Sequence, residues 1–256
     1  MKAIRLCLAV CLLVSADAAG QQPLRIAAAS DLQPVLPALI AQFEREAAEH
    51  IDVSFGSSGN FYAQLQNGAP FDLFFSADID YPKRLESSGL TAPGTLIEYA
   101  TGRIALWTRT DSGLDLGRGF AILSDPRVRR IAIANPEHAP YGRAAVAALR
   151  HEHLEEQLRP RLVLGENISQ AAQFVQSGNA DVGIVALSLA LAPAMREMGR
   201  FVEVPASFYP PIGQAAVVLR ASLKQDIARR FLAFMQQPGT QRALRVAGFA
   251  PPQGGR

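Results

Sequence analysis

Short apolar runs along the chain alternate with stretches in which apolar residues recur every three or four positions. The first pair is the run at 24–29, followed by apolar residues at helical spacing from Leu32 to Phe43. The first pattern predicts a buried strand and the second an amphipathic helix. The series continues with predicted strands at 51–55 and 71–75, a helix at 61–66, and a helix that begins at Pro82 and is ended by Gly89. Strands that alternate with helices in short units predict an α/β fold with a largely parallel sheet.

The pattern restarts after about residue 100 and predicts a second α/β unit. Its strands lie at 103–109, 130–134, 162–164 and 182–185, and its helices at 141–150, 169–176 and 188–198. A break at Pro210 and Pro211 precedes one more strand at 214–219 and two terminal helices at 223–237 and 240–246. The sequence therefore predicts two α/β lobes in one chain.

Residues 1–18 have the features of a secretory signal peptide. Lys2 and Arg5 precede an uninterrupted apolar run at 6–14, and small residues follow up to Ala18. The apolar run is shorter than the roughly 20 residues that a membrane-spanning helix needs. This order of features favours a cleaved signal over a buried N-terminal helix or a lipoprotein signal ending at Cys11. We therefore expect a periplasmic protein.

Composition excludes several classes of function. Both cysteines, Cys7 and Cys11, lie inside the predicted signal, so we expect no disulfide, thiolate metal site or cysteine nucleophile in the mature chain. The formal net charge of +2 provides no concentrated basic face, and we expect no nucleic-acid partner. His151 and His153 are two residues apart on a predicted helix and would point to different faces, which disfavours a metal site.

Polar turns follow four predicted strands at the points where helices begin. They lie at Ser30-Asp31, 56–60, 135–142 and 165–169. Ligands of open α/β sheets bind at the carboxyl ends of the strands, where helix N-termini offer free N–H groups to an anion. The candidate donors are the hydroxyls of Ser30 and Ser58 and the N–H groups of Asp31, Tyr141 and Ile168. Two turns in each lobe predict one shared site for a small anion.

Each turn taken alone also fits a capping turn that binds nothing. The carboxylate of Asp31 would repel an anion, so we expect it to turn back as a helix cap and to offer only its N–H. His138 is a single histidine in the third turn, and a structural role is the ordinary one for such a residue. Hydroxyls and N–H groups suffice without Lys or Arg, because oriented dipoles stabilise a dianion.

Several segments resemble the molybdate-binding proteins of ABC transporters. The resemblance rests on AAASDL at 27–32, FGSSGNFYAQL at 55–65, NGAPFDLFFSAD at 67–78, NPEHAPYG at 135–142 and DVGIVA at 181–186. It covers nearly all of the mature chain, and the stretch from Gly56 to Asp78 is quite specific. On these motifs the chain is similar to the periplasmic solute-binding proteins for molybdate and tungstate.

The resemblance implies a type II periplasmic binding fold with two lobes, each a mostly parallel sheet flanked by helices. The first lobe would comprise residues 19–100 and 212–256, and the second residues 101–211. The implied function is capture of molybdate or tungstate as an oxyanion, with no catalytic residue, no cofactor and no direct metal ligand. The ligand-contacting residues carried over by position are Ser30, Asp31, Ser58, Tyr141 and Ile168. The implied partner is the membrane permease of an ABC importer, and we expect a monomer.

Two alternatives stay open from the sequence. Some family members place a tyrosine hydroxyl on the ligand from the strand that ends here at Ala186, which has no hydroxyl. The number of donors therefore leaves room for another oxyanion, such as sulfate or a phosphonate. A secreted serine hydrolase would instead use Ser30 or Ser58 with His138, although the chain lacks the G-x-S-x-G motif of such a nucleophile.

Overall fold

The computed structural model describes residues 22–253, so the predicted signal peptide at 1–18 lies outside the described part of the chain. The strands are β1 (Leu24–Ala29), β2 (Ile51–Gly56), β3 (Leu73–Ser76), β4 (Ile97–Gly102), β5 (Ile104–Arg109), β6 (Ile131–Ala134), β7 (Leu162–Gly165), β8 (Val182–Ala186), β9 (Gly199–Glu203) and β10 (Ile212–Val218). The helices are α1 (Leu36–Ala47), α2 (Ser58–Gln66), α3 (Asp80–Ser87), α4 (Pro140–His151), α5 (Glu155–Leu158), α6 (Ile168–Gln176), α7 (Leu187–Leu191), α8 (Pro193–Met198), α9 (Gln225–Met235) and α10 (Pro238–Val246).

The first sheet has the strand order β2-β1-β3-β10-β4. β1 is parallel to β2 and β3, whereas β10 is antiparallel to both β3 and β4. Four of the five strands therefore run in one direction. Residues of α1 and α9 pack with Leu73 and Phe75 on one face, and residues of α2 and α3 pack with Phe74 on the other. This alternation buries both faces of the sheet, as expected for parallel strands.

The second sheet repeats this plan with the order β7-β6-β8-β5-β9. β6 is parallel to β7 and β8, and β5 is antiparallel to β8 and β9. Trp107 on β5 is fully buried in the core of this lobe. The prediction of two mostly parallel sheets flanked by helices is confirmed.

The chain passes between the two sheets at two points. β4 of the first sheet ends at Gly102, and β5 of the second begins at Ile104. The return segment lies between Glu203, where β9 ends, and Ile212, where β10 begins. Thr101 and Gly102 therefore pair in the first sheet, although the sequence-based boundary assigned them to the second lobe.

Prolines place two helix boundaries differently from the sequence prediction. α1 begins at Leu36 rather than Leu32, with Pro37 in its first turn. The helix predicted at 188–198 is two helices, α7 and α8, and the second begins at Pro193. Proline has no N–H to donate inside a helix, so it fits the first turn and interrupts a longer one. Strands β4 and β9 were not predicted at all.

Candidate functional site

A small cavity lies between the lobes, at the carboxyl ends of β1, β2, β6 and β7. It contains about 190 Å³ of empty space. Its lining residues come from both lobes: Ala29, Ser30, Asp31, Gly56, Ser57, Ser58, Ala77, Ala139, Pro140, Tyr141 and Ile168. The structure thus brings together all five residues that the sequence proposed for an oxyanion, and their contact with a ligand stays a prediction.

Each of these residues follows a strand, at a distance that ranges from one residue for Ser30 after β1 to seven for Tyr141 after β6. Ser30 follows β1 directly and begins a short 3-10 helix, Ser30–Leu32. Ser58 is the first residue of α2, only two residues past the end of β2. In the second lobe, α4 follows β6 and α6 follows β7 in the same way. The strand ends therefore direct four helix starts toward one point, where helix dipoles favour negative charge.

Two buried serine hydroxyls are available as donors in this cavity. The Ser30 side chain is 2% exposed, and its Oγ has no hydrogen-bond partner among the described residues. The Oγ of Ser58 accepts a hydrogen bond of 2.9 Å from the N–H of Ala77, which leaves its own hydrogen free to donate. A buried hydroxyl without a partner costs free energy, so both groups favour an acceptor placed between them.

Backbone N–H groups at the starts of two helices complete the donor set. Ile168 is the first residue of α6, and the cap residue Asn167 uses its Oδ1 for the N–H groups of Ser169 and Gln170, each at 3.0 Å. The N–H of Ile168 is not among those that the cap satisfies. Tyr141 is the second residue of α4, where an N–H has no acceptor within its own helix.

The expectation that Asp31 caps a helix is wrong. The 3-10 helix has no side-chain cap, and the Asp31 carboxyl is fully buried. Its Oδ2 accepts hydrogen bonds from the Tyr141 hydroxyl and from Nε2 of Gln214, both at 2.8 Å, whereas its Oδ1 has no partner among the described residues. Tyr141 belongs to the second lobe and Gln214 to β10 of the first, so the carboxyl joins the two lobes instead of a single turn.

Burial sets the charge of this group. It raises the pKa of Asp31 from 3.8 to about 6, and the hydrogen bonds from Tyr141 and Gln214 oppose that increase. Burial also raises the pKa of Tyr141 well above its ordinary value of 10, and the negative charge of Asp31 adds to the effect. Tyr141 is therefore a neutral donor near neutral pH, while Asp31 is the group in this network that changes charge close to that range.

Other contacts between the lobes surround the cavity. Ser188 of α7 donates from its Oγ to the backbone oxygen of Asp31 at 2.7 Å, and both groups are buried. On another side the N–H of Gly59 donates to the backbone oxygen of His138 at 2.9 Å. The polar contacts nearer to solvent are Ser57 Oγ with His138 Nδ1, Asn60 with Glu166, and Arg143 with Asp78. These contacts hold the lobes in a closed arrangement.

Nothing in this arrangement forms the hydrolase site that the sequence left open. His138 hydrogen-bonds Ser57 at 2.9 Å, and neither Ser30 nor Ser58 has a hydrogen bond to it. Ser57 is already engaged as the cap of α2, where it accepts from the N–H of Asn60. Among residues 22–253, no group of three His, Cys, Asp or Glu side chains could hold a metal ion. The cavity therefore offers serine hydroxyls as hydrogen-bond donors, and His138 is not hydrogen-bonded to Ser30 or Ser58 as a general base would be.

Sequence reasoning missed three residues of the buried network. Gln214 donates to Asp31, and its Oε1 accepts from the Tyr99 hydroxyl at 2.8 Å. Ser188 contacts Asp31 from a helix 157 positions later in the chain. Gln214 is a fully buried amide inside the apolar strand β10, IGQAAVV. A single polar residue in such a strand could have indicated a buried hydrogen-bond network from the sequence.

A larger groove, with about 1340 Å³ of empty space, lies at the opposite ends of the first-lobe strands. Its lining includes Arg25, Asp72, Phe71 and Lys224, and it contains none of the five predicted residues. Ligands of α/β sheets bind at the carboxyl ends of strands, and this groove lies at the amino ends of β1 and β3. The donors of the interlobe cavity make that cavity the better candidate despite its smaller size.

Comparison with known proteins agrees with the architecture. Residues 24–250 match the family model described as bacterial extracellular solute-binding protein. A molybdate-binding protein ModA of Azotobacter vinelandii is 36% identical over 234 residues, which cover 91% of this chain and 92% of that protein. A molybdate-binding protein ModA of Rhodobacter capsulatus is also 36% identical, over 82% of this chain and 81% of that protein.

A solved structure gives the same relationship in three dimensions. The periplasmic molybdate-binding protein of Azotobacter vinelandii superposes with a TM-score of 0.84 at 34% identity, covering 90% of this chain and 100% of that one. No helix within residues 22–253 has the length and apolar character needed to cross a membrane. The chain belongs to the family of bacterial extracellular solute-binding proteins, among the relatives of the molybdate-binding proteins.

Proposed function

We propose that this protein is the periplasmic solute-binding component of an ABC importer and captures molybdate or tungstate in the cavity between its lobes. The single observation that carries the proposal is the set of buried donors there that lack an acceptor, above all the Oγ of Ser30. Ser58 adds a second hydroxyl, and the N–H groups of Asp31, Tyr141 and Ile168 add backbone donors. The names and the 36% identity of the relatives support this choice of ligand.

The chemistry of the cavity explains why a fully deprotonated oxyanion fits. Among the described lining residues there is no Lys, Arg or His, so the negative charge is stabilised by dipoles rather than by a counter-ion. Molybdate, tungstate and sulfate accept hydrogen bonds through every oxygen. Hydrogen phosphate carries a proton that the hydroxyl and N–H donors leave unmatched, at a cost of about 1–3 kcal/mol, unless the free Oδ1 of Asp31 accepts it. Sulfate differs from molybdate in size, so the radius of the closed cavity must separate them.

Binding and release follow from movement of the two lobes. Ser30 and Ser58 belong to the first lobe and Tyr141 and Ile168 to the second, so all of them reach one ligand only when the lobes are closed. The ligand stabilises the closed state because only that state provides every contact. The closed form would then dock as a monomer on the membrane permease. Solute binding of this kind requires no catalytic residue and no cofactor.

A thermal-shift panel with the mature protein tests the ligand assignment. At a ligand concentration a thousandfold above Kd, linkage predicts about 4 kcal/mol of stabilisation. For a chain of this size that is a rise of about 8–16 °C in Tm. We expect the rise with molybdate and tungstate, and none with phosphate. A rise with sulfate alone would keep the binding site and change the ligand, and no rise with any oxyanion would refute the proposal.

Serine substitutions connect the shift to the cavity. Ser30→Ala and Ser58→Ala each remove one donor to the ligand and should reduce the shift. Ser87→Ala is the matched control, because Ser87 is an exposed serine on α3 whose hydroxyl bonds only to the backbone oxygen of Lys83. Equal shifts in all three variants would contradict a role for the two cavity serines.

A further inference from the structure

Asp31 carries the only carboxyl among the described residues that line the cavity. One of its oxygens accepts from two donors, Tyr141 and Gln214. The other, Oδ1, is buried and has no hydrogen-bond partner of good geometry, and only the backbone N–H groups of Asp31 and Leu32 act on the carboxyl from its own turn. A buried acceptor without a donor is costly, and native structures keep few of them.

An ionised Asp31 also conflicts with the ligand. A dianion and a carboxylate in one buried site repel each other, and neighbouring like charges favour uptake of a proton by one of them. No cation among the described lining residues offsets the repulsion. Arg143, which also connects the two lobes, is engaged with Asp78. Protonation of Asp31 removes the repulsion and turns Oδ1 from an unmatched acceptor into a donor.

We propose that the oxyanion binds together with one proton, which is held on Oδ1 of Asp31 and donated as a hydrogen bond to the ligand. The inference rests on the proposed function and assigns the Asp31 side chain, in addition to its N–H, to the recognition of a fully deprotonated tetrahedral dianion. In the balanced step, ionised Asp31, the dianion and one proton from solvent give protonated Asp31 bound to the unchanged dianion. No covalent bond to the ligand forms or breaks.

The surroundings of Asp31 leave solvent as the source of the proton. The titratable groups that face it are Tyr141 on α4 and Tyr99 on β4, and burial raises the pKa of both hydroxyls, so they keep their protons. The side chains that face it from β10 and α7, Gln214 and Ser188, do not titrate. Helix α6 and strand β2 also pack on the 3-10 helix that contains Asp31. α6 has no titratable residue, and the titratable residue of β2, Asp52, is exposed to solvent. In the closed arrangement without ligand, burial already raises the pKa of Asp31 to about 6, so one further proton is readily held once the lobes close.

Proton uptake predicts a specific dependence of affinity on pH. Above about pH 7, Asp31 of the free protein is ionised, and Kd for molybdate should rise about tenfold for each pH unit. At a pH low enough for Asp31 of the free protein to be protonated already, Kd should become constant. The number of protons taken up per ligand should be close to one at pH 8 and should fall toward zero as the pH is lowered.

The test is titration calorimetry of the mature wild-type protein with sodium molybdate between pH 5 and pH 9. Each pH is measured in two buffers of different ionisation enthalpy, because the difference in heat counts the protons taken up. Asp31→Asn is the informative variant, since a carboxamide can donate where the protonated Oδ1 would and still accept from Tyr141 and Gln214. We expect this variant to bind with a pH-independent Kd and to bind at least as tightly as wild type at pH 8. Ser58→Ala should weaken binding at every pH without changing the slope.

The outcomes separate this inference from the proposed function. Molybdate binding by the wild type with no proton uptake at pH 8 would overturn the inference and leave the function intact. Tighter binding of hydrogen phosphate than of molybdate, without proton uptake, would mean that Asp31 stays ionised and would also overturn it. Absence of binding by any oxyanion at any pH would contradict the function itself. The wild-type proton count decides the question even if the Asp31→Asn protein folds poorly.

Discussion

The close approach of the two lobes at Gly59 makes a sharp prediction about closure. Gly59 is the second residue of α2, and its N–H donates to the backbone oxygen of His138 in the other lobe at 2.9 Å. A Cβ at this position would lie 2.6 Å from that same oxygen and 2.9 Å from the Cα of His138. The Tyr81 hydroxyl of the same lobe would lie 2.8 Å away, but it is the far end of a side chain and can shift. The two His138 atoms belong to the backbone, so relief of their contact requires the lobes to separate. Gly59→Ala should therefore disfavour the closed state and leave each lobe folded.

The magnitude follows from two contributions. Overpacking of a close contact costs about 1–3 kcal/mol. Loss of the hydrogen bond between Gly59 and His138 adds about 1 kcal/mol. Both act only on the closed state, so affinity should fall by about 2–4 kcal/mol, which is roughly 30- to 1000-fold in Kd. Alanine is also a better helix former than glycine by about 1 kcal/mol, so the ligand-free variant should not be less stable.

The assay is titration calorimetry with molybdate, accompanied by urea unfolding of the ligand-free protein. The matched control is Gly239→Ala, because Gly239 is also the second residue of its helix, α10, and a Cβ there meets nothing within 4 Å. The control should bind like wild type. If Gly59→Ala binds within about twofold of wild type, the closed arrangement described here is not the one that holds the ligand.

Three further predictions concern single contacts. Ser188→Ala leaves the backbone oxygen of Asp31 buried without a donor, and does so only in the closed state. Calorimetry should therefore show molybdate binding weakened by about 1–2 kcal/mol, with the same preference among oxyanions. Arg143→Ala removes a partly exposed interlobe ion pair with Asp78 and should weaken binding only about two- to fivefold, chiefly through faster dissociation in stopped-flow measurements. In the closed structure, burial raises the pKa of Asp31 from 3.8 to about 6, so this folded state binds the proton more tightly than the unfolded chain. Its contribution to the free energy of unfolding is therefore present below pH 4 and decreases by about 3 kcal/mol as the pH rises through 6. Urea unfolding of Asp31→Asn should not show this decrease.

Each of these predictions has a contradicting result. A change in anion preference in Ser188→Ala would mean that the hydroxyl contacts the ligand rather than the backbone of Asp31. A loss of more than a hundredfold in Arg143→Ala would mean that the guanidinium neutralises the ligand directly. If the free energy of unfolding of the wild type rises with pH relative to that of Asp31→Asn, the linkage has the opposite sign and contradicts a raised pKa of Asp31.

Local rules predicted much of the fold and grouped the proposed ligand residues that the structure places around one cavity. Apolar runs and helical spacing identify buried strands and amphipathic helices, and a polar turn between them marks where a helix N-terminus begins. That is why Ser30, Ser58, Tyr141 and Ile168 could be proposed together from sequence. Strand β4 was missed because IEYATG lacks a continuous apolar run, and its pairing with β10 comes from a distant part of the chain.

The role of Asp31 shows where local rules stop. An aspartate beside a helix start predicts a cap, and the same turn would accept that arrangement in isolation. The observed partners, Tyr141 and Gln214, lie 110 and 183 positions later in the chain. Gln214 reaches Asp31 within the first lobe, whereas Tyr141 reaches it only when the two lobes come together. The same holds for Ser188, which approaches from the second lobe. Contacts that depend on how two lobes close cannot be read from the spacing of residues within one of them.

A crystal structure of the mature protein grown with molybdate, measured at the molybdenum absorption edge, would show where the oxyanion binds. We expect one strong anomalous peak in the interlobe cavity, with ligand oxygens at hydrogen-bond distance from the hydroxyls of Ser30 and Ser58 and from the N–H groups of Tyr141 and Ile168. A peak elsewhere, for example in the first-lobe groove beside Arg25 and Lys224, or no peak at all, would contradict it.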